Sequence, residues 1–395
     1  MILQTSPGDF DAVYNHGLVL QELAARVRMG IEGGEREGDI KQVWQLLREA
    51  CDRYSRALEI RPSFHAAQYN WGVALSELAG LMKRADGHQA LYHLHDAALR
   101  YSQSLQGNPN NPQALNNWGL VLQEVSSFHT DLEVKLMLAA QAIDKFRRSL
   151  RLQPDFDHGC YNLGTVFYTH ASTLRTQLRR TEDTIISQAA LDWLAALSAL
   201  NGSELGSHEA VDAMMQKAAQ YIVLAWALQP GKEVYSQSVK VVQNMLPRPF
   251  LRVGYLKAPK LSTLGGPTES WERQFFALDQ GTLRSGSALQ LTMRSRGRAA
   301  SPPIAEVPTS EDDYVVDLAD VISAVRCLEL SLPEGEAFWI GLKSRPQGMY
   351  FVAEDKETAE EWVDVLTLMQ NIHSQQKAKS LATVLSPGKA HRSTE

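Results

Sequence analysis

A repeated segment constrains the fold of this 395-residue chain more than any other feature of its sequence. Each copy runs from the end of one helical pattern, through a proline, to an asparagine that lies two residues before a glycine. The four copies occupy residues 3–17, 58–72, 105–119 and 149–164. The glycines stand at positions 17, 72, 119 and 164, so successive copies are 55, 47 and 45 residues apart. Spacings of this size are typical of stacked helical hairpins, and the sequence predicts an all-α solenoid over residues 1–247.

The second helix of each hairpin has its own register. An alanine lies twelve residues before each terminating proline, a bulky residue follows four positions later, and a small residue comes three positions after that. The bulky residues are Tyr54, Tyr101, Phe146 and Ile222. A glycine inside a helix costs about 1 kcal/mol, so four glycines at one register indicate a place where the partner helix comes close. We therefore expect the helices of each hairpin to pack small residues against large ones.

This combination of small, aromatic, alanine and proline positions resembles the tetratricopeptide repeat (TPR). The resemblance covers about residues 9–230, but the glycine and the proline of each repeat are 45, 37, 35 and 66 residues apart by subtraction of their positions. Because these separations exceed the family's usual spacing, we expect extended helices. We also expect an extra helix at residues 181–200 of the fourth repeat, and a capping helix at residues 232–245.

The asparagines of the first helices suggest a binding groove. A residue seven positions further along a helix shares its face, and this relation links asparagines to glutamates in three repeats. The predicted groove residues are Asn15, Asn70, Asn117, Asn162, Glu22, Glu77 and Glu124. Asparagine at this register resembles the asparagine ladder in the repeats of O-linked N-acetylglucosamine transferase, which implies that the amides hold an extended peptide backbone. The glutamates would favour a basic peptide. The alternative is that the asparagines brace the turn between helices and the glutamates are solvated.

Helical periodicity stops near residue 247, and short alternating apolar runs begin. We predict strands at residues 250–257, 271–278, 289–293, 314–318, 338–343 and 349–353, followed by an amphipathic helix at 356–370. The runs GYLK, WERQFFAL and AEEWVDVL occur in this order, and together they resemble a pleckstrin homology (PH) domain. The resemblance implies a mainly-β barrel over residues 248–376, with Trp362 of the closing helix packed into one end. We expect a disordered loop at about 294–313 and a disordered tail at 377–395.

Many PH domains bind inositol phosphates through a lysine on the first strand and two basic residues on the second. Here Lys257 matches the first position, but Glu272 and Gln274 occupy the other two and leave Arg273 on the opposite face. Residues 248–376 carry 13 Lys and Arg against 18 Asp and Glu, a net charge of about −5 that repels an anionic surface. Three roles remain open. They are specific lipid binding, weak membrane contact through Lys257, Lys260 and the loop that carries Arg294, Arg296 and Arg298, and a protein-binding or purely structural barrel. The candidate lipid contacts are Lys257, Lys260 and Arg273.

The sequence lacks the motifs of common enzyme classes. It has no phosphate-binding glycine loop with its lysine, no nucleophile elbow and no His-Glu-x-x-His pair. We therefore expect no enzyme activity, cofactor, metal or nucleic acid. The three scattered cysteines indicate buried thiols in a reducing compartment.

These features favour a eukaryotic, cytoplasmic, non-catalytic adaptor. It would bind a partner protein segment in the concave TPR groove and make a second protein or membrane contact through the PH-like domain. One alternative is a phosphoinositide- or membrane-directed recruitment factor, and another is the regulatory fragment of a larger enzyme. Residues 3–7 resemble the end of a second helix, as if a preceding hairpin were missing, so organelle targeting also remains open.

Overall fold

The computed structural model describes residues 9–30, 37–180, 207–261, 270–286, 313–328 and 331–386. The chain divides into two compact units, Met1–Gln153 and Pro154–Glu395. This division differs from the change of periodicity near residue 247. The expectation that residues 1–247, 248–376 and 377–395 form a solenoid, a separate domain and a tail stays a prediction.

The first unit consists of three helical hairpins. Its helices are α1 (Phe10–Met29), α2 (Glu37–Ile60), α3 (His65–Met82), α4 (Gly87–Gly107), α5 (Pro112–Phe128) and α6 (Leu132–Leu152). Several helices begin at a side-chain cap, as when Asn111 accepts a hydrogen bond from the backbone N–H of Ala114 at 3.0 Å. Pro112 then occupies the first helical turn, where its missing N–H costs nothing.

Each of these hairpins closes where a glycine meets an aromatic ring. A Cβ atom placed on Gly17 would lie 2.7 Å from the Tyr54 ring, and one on Gly119 would lie 2.6 Å from the Phe146 ring. The corresponding distance from Gly72 to Tyr101 is 2.9 Å. These distances leave no room for a side chain, so the prediction of small-against-large packing is confirmed in the three hairpins.

The second unit begins with a fourth hairpin. It is formed by α7 (Asp157–Arg180) and α8 (Ser207–Leu228), and α9 (Glu233–Val242) follows. The same packing recurs here, because a Cβ on Gly164 would lie 2.7 Å from the side chain of Ile222. The helix predicted at residues 181–200 lies outside the described residues. Helix α9 falls within the predicted capping segment and buries Tyr235, Val239 and Val242.

A seven-stranded antiparallel sheet follows the helices. Its strands are β1 (Arg252–Pro259), β2 (Trp271–Leu278), β3 (Thr282–Ser285), β4 (Val315–Asp317), β5 (Val321–Arg326), β6 (Glu336–Leu342) and β7 (Met349–Ala353). The strand order is β4-β3-β2-β1-β7-β6-β5, which places β4 and β5 at opposite edges. A closed barrel is therefore not supported. The three-residue β4 pairs only with β3 within the described part of the chain, and closure would need hydrogen bonds between β4 and β5.

The sequence identified five of these strands and missed β3 and β5. The strand predicted at 289–293 and nearly all of the predicted loop at 294–313 lie outside the described residues. Helix α10 (Lys356–Ser374) packs mainly against β5, β6 and β7, and the ring of its Trp362 is fully buried. A Cβ atom on Gly254 would lie 3.4 Å from this ring, so the predicted closing-helix tryptophan packs against the first strand.

The tail expected to be disordered from residue 377 is partly helical. Helix α11 spans Ala378–Leu385 and buries Leu381, Val384 and Leu385. These residues are spaced three and one apart, so they form one apolar stripe, which the prediction overlooked in favour of the polar residues around it. Lys377 also anchors the segment, because its Nζ donates to the backbone oxygen of Leu228 at 2.6 Å.

A buried charge cluster joins the fourth hairpin to the sheet within the second unit. The Glu361 carboxylate of α10 pairs with Lys217 of α8 and, at 2.8 Å, with Arg252 of β1. All three residues are buried. The Arg252 guanidinium also lies 4.8 Å from the centre of the Trp362 ring. This cluster connects three elements that are distant in sequence.

Candidate functional site

The first unit contains a cleft between the first helices of its second and third repeats. Its volume is about 480 Å³. The cleft is lined by Arg28, Val73, Ser76, Glu77, Gly80, Leu94, Tyr101, Asn117, Leu120, Val121, Gln123 and Glu124. Three of the seven predicted groove residues, Glu77, Asn117 and Glu124, therefore meet at one site.

The other predicted groove residues lie elsewhere. Asn70 is on α3, and both Asn15 and Glu22 are exposed on α1. Asn162 is half-buried on α7, which belongs to the second unit. The lining combines apolar side chains such as Val73, Leu94 and Leu120 with amide and carboxylate groups. A mixed lining of this kind is typical of binding sites that hold an apolar group and orient it by a few polar contacts.

The asparagines of the second and third repeats make hydrogen bonds to the repeat before them. Asn70 Nδ2 donates to the Tyr14 hydroxyl at 2.8 Å, and Asn117 Nδ2 donates to the Tyr69 hydroxyl at 3.3 Å. The side-chain oxygen of Asn117 also accepts from Asn116 Nδ2 at 3.2 Å. These contacts resemble the bracing alternative more than a row of open amides. The asparagines still have further hydrogen-bonding capacity, since an amide offers two donor hydrogens and two acceptor sites.

A chain of polar groups runs from the hairpin interior to the cleft. The Tyr54 hydroxyl donates to Gln21 Oε1 at 2.7 Å, and the side chain of Gln21 in turn hydrogen-bonds to the Glu77 carboxylate. Burial raises the pKa of the Glu77 carboxyl, while Arg28 and the bond from Gln21 partly oppose that shift. The cleft thus holds a half-buried acid whose charge is stabilised only in part by Arg28 and Gln21.

The other two predicted glutamates already have cationic partners. Glu22 pairs with Arg26 one turn away on α1 at 2.9 Å, and Glu124 pairs with Lys83 of the preceding repeat. The sequence analysis identified no cationic partner for these glutamates. Arg28 and Lys83 both lie eleven residues after their repeat glycine, Gly17 and Gly72. Extending the repeat register to the end of each first helix would have found them.

The three cations proposed for lipid contact also have partners. Lys257 Nζ donates to the backbone oxygen of Glu334 at 2.6 Å, and Lys260 pairs with Glu272 at 2.6 Å. Arg273 pairs with Glu354 at 2.8 Å. The strand register places Arg273 directly opposite Lys257, so both lie on one face of the sheet rather than on opposite faces. The prediction that Arg273 lies on the face of the sheet opposite Lys257 is therefore wrong.

The described residues place limits on other kinds of site. They contain no group of three or more His, Cys, Asp or Glu residues arranged to hold a metal ion. Among the same residues, no helix combines the length and apolar character needed to cross a bilayer. Cys51 and Cys160 are buried, and burial raises the pKa of the Cys51 thiol to about 12. This thiol is therefore a poor nucleophile at neutral pH.

Comparison with protein families gives one match in the helical region. Residues 95–186 match the family described as plant specific mitochondrial import receptor subunit TOM20. This match covers 92 of the 395 residues (186 − 95 + 1), and no curated protein matches the chain. The family match and the hairpin geometry together define the N-terminal region as a TPR-like helical repeat.

Solved structures similar to the chain include two monomeric mutants of IFIT1, one with Gppp-AAAA and one with m7Gppp-AAAA. They are 14% and 13% identical, each with a TM-score of 0.25, and each match covers 53% of this chain. The chain spans 46% of the length of either IFIT1 structure. A Bacteroides ovatus protein described as protein binding is 16% identical, with a TM-score of 0.24, 57% of this chain covered and 97% of that chain.

Proposed function

We propose that this chain is a non-catalytic adaptor that binds a segment of a partner protein in the cleft of its first unit. The main observation behind the proposal is the half-buried Glu77 carboxylate, which lies in a cleft of about 480 Å³ that is also lined by apolar side chains. A cation that binds beside a buried carboxyl stabilises the charged form that burial disfavours. The occupant would be a segment with one basic side chain near Glu77 and apolar side chains on Val73 and Leu120.

The asparagine ladder is a further part of this proposal. Each amide would contribute about 1 kcal/mol net, so the three amides of the first unit would give roughly 3 kcal/mol, whereas micromolar binding requires about 8 kcal/mol. Apolar contact in the cleft and the charge of Glu77 would supply the remainder. Within the first unit, the proposed ladder residues are Asn15, Asn70 and Asn117, with Glu22, Glu77 and Glu124 selecting basic side chains.

The partial match to an import receptor family supports a more specific role. Import receptors bind other proteins, and the match runs from the second helix of the second repeat, through the third repeat, into the fourth. We propose that the partner is a segment of a protein on its way to an organelle. The cleft is the surface that we propose for such recognition.

We further propose that the sheet domain is PH-like and makes a second contact with a protein. The strand order, the covering helix and the buried Trp362 support the likeness. The partners of Lys257, Lys260 and Arg273 would have to be displaced before these cations could bind a phosphate. Protein contact therefore agrees better with the structure than phosphoinositide binding. A second contact would raise the avidity of the whole chain.

Filling the cleft tests the adaptor proposal. Gly80 lines the cleft on α3, and a Cβ atom added to it would meet nothing within 4 Å. Gly80→Phe is expected to occupy the cleft, whereas Gly80→Ala adds one methyl group and serves as the matched control. A phage-displayed random peptide library is selected on the full wild-type chain, and the affinities of the selected peptides are measured by fluorescence anisotropy. We expect at least a tenfold loss for Gly80→Phe and no loss for Gly80→Ala. Equal binding by both variants would exclude the cleft.

The ladder requires a separate test because its amides also brace the repeats. Asn70→Ala with Asn117→Ala is expected to weaken binding of the selected peptides by about thirtyfold, since two hydrogen bonds of about 1 kcal/mol each are lost. The control is Tyr14→Phe with Tyr69→Phe, which removes the two hydroxyl partners but keeps both amides. If binding falls equally in the two double variants, with equal loss of thermal stability, the asparagines act only within the fold.

A further inference from the structure

A row of apolar side chains crosses three neighbouring strands of the sheet. Val325 of β5 lies directly opposite Trp339 of β6, and Trp339 lies directly opposite Tyr350 of β7. Residues paired in this way point to the same face of a sheet. Val325 is 47% exposed, Tyr350 is 37% exposed, and Trp339 is partly exposed. We refer to Val325, Trp339 and Tyr350 as the aromatic row.

The opposite face of the same strands belongs to the core of the sheet domain. Phe338 and Phe351 are sequence neighbours of Trp339 and Tyr350, so their side chains point the other way. Both are fully buried, and their ring centres lie 5.6 Å apart. The aromatic row is therefore a second apolar surface, which is directed away from the core.

Two glycines hold the indole ring of Trp339 in place. A Cβ atom on Gly341 would lie 2.7 Å from this ring, and one on Gly348 would overlap it. The ring therefore lies over the backbone of both glycines. Its Nε1 atom donates to the backbone oxygen of Gln347 at 2.9 Å, which fixes its orientation. A ring held in this way loses little side-chain entropy when a ligand packs on it.

The chemistry of the aromatic row indicates what it would bind. The indole donor of Trp339 is already engaged within the domain, so the ring would contact a ligand through its apolar surface. The Tyr350 hydroxyl can donate one hydrogen bond. The net charge of about −5 over residues 248–376 disfavours anionic ligands such as lipid headgroups and nucleic acids. A polyproline II helix fits these properties, because it carries apolar rings and its backbone carbonyls have no internal hydrogen bonds.

The spacing of the aromatic row also matches a polyproline II helix. Neighbouring strands lie about 4.8 Å apart, so Val325 and Tyr350 are separated by about 9.6 Å. Residues i and i+3 of a polyproline II helix lie about 9.3 Å apart on one side, since three residues of about 3.1 Å make one turn. A peptide in the β conformation would instead place side chains on one side about 6.6 Å apart. One turn of a polyproline II helix thus spans the aromatic row.

We propose that the aromatic row binds a proline-rich segment of a partner protein. Two prolines three residues apart contact Tyr350 and Val325, and the ring of Trp339 packs between them. The Tyr350 hydroxyl donates to a carbonyl of the segment. Aromatic surfaces recognise such segments because the polyproline II helix is formed before binding. This inference rests on the second protein contact proposed for the sheet domain, and it does not depend on the cleft.

Two phage-displayed peptide libraries test this inference. One library has two prolines fixed three positions apart, the other has alanines at the same two positions, and all other positions are random. Each library is selected on the full chain, and the affinities of the selected peptides are measured by fluorescence anisotropy. We expect the proline library to yield peptides whose affinity falls at least tenfold for Val325→Glu. Tyr350→Phe should weaken them about fivefold, since it removes one hydrogen bond.

Two controls define the site. Val315→Glu introduces the same charge at a position of β4 that is 58% exposed, and it should leave the affinity of these peptides unchanged. Gly80→Phe should also leave it unchanged, which separates the aromatic row from the cleft. Circular dichroism verifies that each variant is folded. Tyr350→Phe keeps the ring, so its effect on affinity remains a test if Val325→Glu disturbs the fold.

Three results would overturn the inference. If neither Val325→Glu nor Tyr350→Phe weakens any peptide from the proline library, the aromatic row is not the binding site. If Val325→Glu weakens peptides from the alanine library equally, the sheet domain still contacts a protein, but the ligand is not a polyproline II helix. If sedimentation shows a dimer of the chain that Val325→Glu dissociates, a second copy covers the aromatic row.

Discussion

Replacing Glu361 by glutamine is expected to destabilise the second unit by about 3–5 kcal/mol, because it removes the buried carboxylate that Lys217 and Arg252 share. All three residues are buried, so water cannot solvate the two remaining cations. Each side chain belongs to a different element, and repulsion between the cations would separate α8 from β1. This is the largest stability effect that we expect from a single substitution in the chain.

Equilibrium unfolding of the full chain in urea, followed by tryptophan fluorescence, measures this effect. Glu354→Gln is the matched control, since Glu354 forms an ion pair with Arg273 at the surface that contributes about 0–1 kcal/mol. Replacing Lys217, Arg252 and Glu361 together by apolar residues of similar size should restore much of the lost stability. A loss for Glu361→Gln no larger than that for Glu354→Gln would show that the cluster is not what joins α8 to the sheet.

The second large effect concerns two glycines of α3. Replacing each of them by alanine is expected to change the stability of the first unit in opposite directions. Gly72→Ala is expected to destabilise the first unit by about 1–3 kcal/mol, since the added methyl group overlaps the buried Tyr101 ring. Gly80→Ala is expected to stabilise it by up to about 1 kcal/mol, because alanine is the better helix former and its Cβ meets nothing within 4 Å.

Thermal and urea unfolding of the two alanine variants give this comparison directly. Both variants make the same chemical change in the same helix, so a difference between them reports the packing of Tyr101 on Gly72. A Gly72→Ala, Tyr101→Leu double variant, in which a smaller side chain replaces the Tyr101 ring, should recover part of the lost stability. Stabilisation by Gly72→Ala similar to that by Gly80→Ala would mean that the hairpin does not need the glycine for close packing.

The sequence was most informative where structure depends on local spacing. The glycine and bulky positions of each repeat were sufficient to predict which helices form hairpins and how they pack, because both signals recur at fixed offsets. The same reasoning located β2, β7 and the helix containing Trp362 closely. It missed α11, whose three buried residues follow a polar stretch, and it missed β3 and β5, whose short runs resemble turns.

Features that depend on the arrangement of distant segments were harder to predict. The sheet is open because β4 and β5 do not pair in the described residues. No local sequence pattern indicates whether two such distant strands pair. The partners of the groove residues were missed for a similar reason. Tyr14 and Tyr69 meet the asparagines of the following repeat, and Lys83 meets Glu124, so each pair bridges two repeats. The register within one repeat can locate the candidate residues, but their pairing depends on the offset between neighbouring repeats in space.

Site-specific photo-crosslinking tests the central claim that the cleft binds a protein segment. A benzoylphenylalanine residue is placed at Leu120, which lines the cleft and is 41% exposed, or at Leu99, which is 50% exposed on α4 outside the cleft. Each full-length variant is irradiated with a peptide selected from the random library, and the crosslinked product is identified by mass spectrometry. The account predicts efficient crosslinking from position 120 and little from position 99. Equal crosslinking from both positions, or crosslinking from position 99 alone, would contradict it.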